Sequence, residues 1–63
     1  MRAIVVRRRR GRLRHGISEG AESPRETLCG RNADGMVLDS RGINCPICRR
    51  EIERLGWSEV RGR

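Results

Sequence analysis

Phenylalanine and tyrosine are absent from this chain, all fifteen of its basic residues are arginine, and tryptophan and histidine occur once each, as Trp57 and His15. The large aromatic side chains that dominate ordinary cores are thus missing, and the remaining Ile, Val and Leu are scattered among 37% charged residues. Long apolar runs are lacking as well. After "MRAIVV" the chain turns to arginine, leaving neither the apolar centre of a secretory signal, about 7 to 15 residues, nor the roughly 20 residues of a membrane span. Disulfides cannot account for the three cysteines, because an odd number leaves one thiol unpaired. These absences lead us to expect a cytoplasmic protein with no membrane partner, whose thiols are reduced and open to a metal.

Sixty-three residues suffice for one domain, and a chain so short hides only about 60% of its unfolded surface. Below roughly 70 to 80 residues a fold needs a disulfide, a metal or a partner subunit to hold it. The net charge is +7. Residues 1–14 hold seven arginines and no acid, whereas residues 15–63 hold eight arginines against eight acids. The whole excess sits at the N-terminus. A GC-rich genome accounts for the missing lysine as well as guanidinium chemistry does, so the clustering is the informative feature.

The chain divides on composition into a basic arm (1–14), a metal-binding domain (15–57) and a frayed tail (58–63). A block of like charge reads as a tail awaiting a partner, with Ile4 to Val6 able to add a short strand and Gly11 marking a bend. "SEGAESPRE" is a polar loop punctuated by Gly20 and Pro24, and "TLC" is β-capable. "NADG" is a turn, and "MVLD", turned back by "SRG" into "INC", predicts a hairpin between Cys29 and Cys45. From Pro46 the period changes: Cys48, Ile52 and Leu55 fall at i, i+4 and i+7, predicting a helix over 46–55. Pro46 suits its first turn and Gly56 its end, with Trp57 folding back to cap a small core. No internal repeat is present.

In "CPIC", Cys45 and Cys48 can reach one ion, and the free N–H groups of a first helical turn stabilise their thiolates. A redox dithiol has the same spacing, but the βαβ context is missing. Cys29 precedes Gly30, which allows the backbone to wrap closely around a bound sulfur with φ above zero. His15 lies fourteen residues upstream and gives H-x13-C-x15-C-x2-C, a donor set suited to tetrahedral Zn2+. Asp34, Asp39 or water are the alternatives to His15 as fourth ligand, and an iron–sulfur cluster ordinarily uses four cysteines. Four protein ligands leave no open position for substrate, and Ser18, Ser23, Ser40 and Ser58 sit in no catalytic motif. An enzyme is not expected.

A histidine, then "TLCGR", then a hairpin, then "CPIC" opening a short helix, resembles the small His/Cys zinc-finger proteins of actinobacteria and their phages, themselves similar to zinc ribbons and treble-clef fingers. The resemblance spans about residues 15–57. It implies a small α+β zinc-stabilised domain of short β-hairpins plus one C-terminal helix, with His15, Cys29, Cys45 and Cys48 as ligands.

For function, the leading expectation is DNA or RNA bound through backbone phosphates by Arg7, Arg8, Arg9, Arg10, Arg12 and Arg14. Stacking on single strands needs aromatics, and Trp57 stands alone. Arg49, Arg50 and Arg54 on the helix are interleaved with Glu51 and Glu53, which disfavours groove reading. The alternative is a module that docks on a larger protein, such as a phage factor on a host protein, through Met36, Val37, Leu38 and Ile43.

Overall fold

β-Branched residues favour the pleated conformation, and Ile4, Val5 and Val6 occupy the middle of strand β1 (Arg2–Arg7). A computed structural model describes residues 1–20 and 26–61. Strand β2 (Arg14–Ser18) runs antiparallel along one edge of β1, placing Ile17 opposite Ile4 and His15 opposite Val6. The other edge of β1 is shared between two short strands. β3 (Val37–Leu38) pairs antiparallel with Val6 and Arg7. Helix α1 (Pro46–Leu55) follows, and β4 (Ser58–Val60) then pairs in parallel with Arg2, Ala3 and Ile4. The result is a small α+β fold whose sheet is centred on its first strand.

Two expected boundaries are therefore corrected. Residues 1–14 are not an arm apart from the domain: β1 is the central strand, and Ala3 and Val5 are fully buried. Charge density misleads here because the arginine run begins only where the apolar pleat ends. Nor is the tail frayed from residue 58, since Ser58–Val60 is held in the ladder of β1; Gly62 and Arg63 lie outside the described residues. The polar loop "SEGAESPRE" falls largely outside them too, at residues 21–25.

The hairpin expected between Cys29 and Cys45 does not form. β3 pairs instead with β1, whose long apolar edge offers more than the short "INC" segment. That segment docks on the start of β2, where the Asn44 and Cys45 N–H groups both donate to the Arg14 carbonyl at 3.2 and 3.1 Å. The fold's hairpin is the β1–β2 pair, joined by residues 8–13.

Helix α1 keeps its expected limits. Pro46 opens it, Cys45 stands at its N-cap, and Gly56 ends it in the left-handed region at φ 70°. Cys48 and Ile52 lie against the core, but Leu55 stays 38% exposed. The chain turns at Gly56, and Trp57 packs against the core beyond it.

The core consists of Ala3, Val5, Ile43, Cys45 and Cys48, flanked by Leu28, Cys29, Ile52 and Trp57. Gly16 lies closely over it: a Cβ there would come within 2.9 Å of Ile43 Cδ1 and 3.3 Å of Leu28 Cδ1, so a larger residue would have to displace those side chains. Beside the core, Asp39 is buried and accepts hydrogen bonds from Arg7 Nε at 2.7 Å and from the Arg41 N–H at 2.7 Å. The hydrogen bonds and charges of Arg41, joined by Arg7, hold its carboxyl far below the usual range despite burial. Among the described residues no helix is long and apolar enough to cross a membrane.

Candidate metal centre

Three separate segments must meet for residues 15, 29, 45 and 48 to share one ion, and the backbone on either side of His15 makes them meet. The carbonyl of Gly16 accepts the Leu28 N–H at 2.8 Å, which docks the segment carrying Cys29. The carbonyl of Arg14 accepts the Asn44 and Cys45 N–H groups, which docks the helix start carrying Cys45 and Cys48. The two neighbours of His15 are thus the anchor points for the cysteines.

Cys29 sits in a tight turn closed by Thr27 N–H to Arg31 O at 2.8 Å and Gly30 N–H to Thr27 O at 2.9 Å. Gly30 has φ 88°, as a close wrap around a sulfur requires. Thr27 is buried, with its Oγ1 at 3.0 Å from Cys29 Sγ and accepting from the Arg31 N–H at 3.0 Å.

The ligand atoms of His15, Cys29, Cys45 and Cys48 all lie within 4.8 Å of one another. His15 presents Nδ1, at 3.4 Å from Cys29 Sγ and 3.7 Å from Cys48 Sγ. Zinc bonds of about 2.3 Å to sulfur and 2.0 to 2.1 Å to nitrogen give a regular tetrahedron edges of roughly 3.5 to 3.8 Å. The two separations from His15 Nδ1 lie close to that figure, and the four atoms are near enough together that the cluster could hold a metal ion. Neither acid considered as an alternative fourth ligand belongs to this cluster: Asp34 is exposed and is not one of its members, and the carboxylate of Asp39 is taken by Arg7 and Arg41.

The protonation states of the metal-free cluster favour loading in part. Burial, then the charges of Arg31 and Arg8, lower the pKa of His15, which keeps the imidazole neutral and its lone pair free. Burial opposes ionisation of Cys29, but hydrogen bonds from Thr27, Cys48, the Arg31 backbone and Cys45 prevail and lower its pKa. Cys48 goes the other way: burial foremost, with Cys29 and Cys45 nearby, pushes its thiol up to about 12. A metal must displace the Cys48 proton, so affinity must rise as pH rises. Chelator-competition titrations with zinc between pH 6 and 8 are expected to give log affinity against pH a positive slope of about one to three. A slope of zero would show that thiols are not the ligands.

The structure separates the six N-terminal arginines into two kinds. Arg7 and Arg14 are strand residues whose guanidiniums are engaged, Arg7 with Asp39 and the Arg8 and Arg9 carbonyls, Arg14 with the Gly42 carbonyl. Arg8, Arg9, Arg10 and Arg12 are exposed on the β1–β2 connection. The helix arginines are partly engaged as well: Arg49 donates to Ile43 O, and Arg54 pairs with Glu51. Sequence reasoning passed over Thr27 and Gly16. The "HG" pair was the available signal for Gly16, because a glycine inside a strand marks close approach of neighbouring groups.

No protein-family model, curated protein or solved structure matches this chain.

Proposed function

We propose that this chain is a zinc-stabilised module that binds nucleic acid through the phosphates, using the arginine-rich turn between β1 and β2. The observation that carries this reading is where the free charge lies. Of the seven arginines in residues 1–14, four stand exposed together on one short connection, and that connection leads directly into β2 and His15. The Cys3His set fills a tetrahedral sphere, so the ion is structural and its work is to hold the turn's two strands on the core. The fold is of the zinc-ribbon or treble-clef kind, as the resemblance to actinobacterial and phage zinc fingers implies. Without aromatic platforms the contact is dominated by phosphates and weakly selective for sequence.

Docking on a larger protein through Met36, Val37, Leu38 and Ile43 is less well supported. Ile43 is 1% exposed and belongs to the core, which leaves Leu38 as the exposed member of that set.

Salt-titrated fluorescence anisotropy of the zinc-loaded protein on duplex DNA, single-stranded DNA and RNA tests the reading. Four phosphate contacts on a duplex predict a log–log salt slope of about −3.6. Weak binding to all three, flat in salt, would transfer the function to a protein partner.

A further inference from the structure

His15 is engaged on one side only. Its Nδ1 faces the sulfurs of Cys29 and Cys48, and among the described residues none pairs with Nε2. A metal-bound imidazole ordinarily gives its second N–H to a carboxylate, a carbonyl or water, which fixes the ring. Here the charges that reach the ring are both cationic, those of Arg31 and Arg8. His15 lines a cleft of about 160 Å³ together with Arg8, Gly11, Arg12, Leu13 and Arg31. Among the described residues no carboxylate lines that cleft, and none of its three guanidiniums is held in an ion pair. Among the described residues, one imidazole nitrogen open to the cleft and three guanidiniums without an ion pair surround one concavity and have no anion between them.

We propose that this cleft seats a single phosphate group, gripped by Arg8, Arg12 and Arg31 and accepting the Nε2–H of His15. Guanidinium forks match the oxygens of a phosphate in a planar, two-point fashion, and the volume exceeds by several-fold the roughly 30 Å³ of one water. The seat rests on the nucleic-acid reading for its natural occupant, a backbone phosphodiester, although free inorganic phosphate presents the same oxygens. It adds Arg31, which lies outside the N-terminal run and close to Cys29 in sequence, to the contact surface. It also makes His15 common to the metal centre and the phosphate, so loading one site orients the ring for the other.

Long-range proton–nitrogen NMR correlations of the zinc-loaded full chain, recorded with and without inorganic phosphate and then a short DNA duplex, read the Nε2 nitrogen directly. Both titrations are expected to move the Nε2 resonance. Arg31→Gln is expected to weaken each by about tenfold and to change the duplex salt slope by less than the ~0.9 of a whole phosphate contact, because Arg8 and Arg12 still neutralise the same phosphate. Arg12→Gln is expected to act alike, and unchanged zinc stoichiometry and circular dichroism confirm that each variant folds. Duplex binding that leaves Nε2 unmoved and is indifferent to Arg31→Gln overturns the seat while the nucleic-acid reading stands. A phosphate response without any duplex binding supports the seat and removes nucleic acid as its occupant. Silence of Nε2 in both titrations overturns the seat.

Discussion

Stripping the metal from the loaded protein with excess chelator at pH 7 is expected to unfold it, with loss of the ordered far-UV circular dichroism in one cooperative transition. The reason lies in the composition of the core. Its largest fully buried side chains are Ile43, Val5 and Cys48, and burying one aliphatic side chain contributes about 1.5 to 3 kcal/mol. Ordering each residue's backbone costs about 1 to 2 kcal/mol, so packing alone leaves little or no margin. Structural zinc binds small fingers with apparent free energies of roughly 10 to 16 kcal/mol. A metal ion in the cluster would also tie together three segments that are distant in sequence: β2, the turn at Cys29 and the start of α1. Cys48→Ser is expected to reproduce the unfolded spectrum even with zinc present, because it removes a fully buried thiol of the candidate cluster. Ser40→Ala, at an exposed position, is expected to fold normally. A spectrum unchanged after complete removal of metal would show that the sheet stands by its own packing.

Replacing Arg8, Arg9, Arg10 and Arg12 together with glutamine is expected to abolish nucleic-acid binding at moderate salt while leaving zinc stoichiometry intact. The four are exposed and are not members of the ligand cluster. Four contacts correspond to a loss of about 150-fold in affinity between 50 and 200 mM salt in the parent protein. The variant should be weak throughout and nearly flat in salt. Arg7→Gln is expected to fail differently, by lowering stability, because it leaves the buried Asp39 without the guanidinium that reaches it from β1. Unaltered affinity and slope in the fourfold variant would dismiss the turn as the contact surface.

Helix α1 and its two ends were legible because their signals are local. A proline at the first turn, a 3.6-residue apolar period and a glycine at the stop all lie within a dozen residues, and each acts through backbone geometry fixed at its own position. The candidate cluster was legible for a related reason: few side-chain types bind a soft divalent ion, this chain holds only three cysteines and one histidine, and the fold brings those four together. Trp57 could be placed because a lone aromatic beside a helix end has one small core to cover.

Strand pairing belongs to the tertiary structure alone. β1 reads as the edge of a charged tail, yet it becomes the centre of the sheet by meeting partners at residues 14–18, 37–38 and 58–60. Nothing in those short stretches specifies which edge each will take. That choice depends on which apolar surface is left uncovered once the others have docked. The same holds for the arginines. Sequence determined how many there are and that they cluster. Only the fold decided that Arg7 and Arg14 bind the protein's own carboxylate and carbonyl, that Arg8 and Arg12 border a cleft, and that Arg31 joins them there. A guanidinium's role is set by what lies within its reach, and reach is measured in space rather than along the chain.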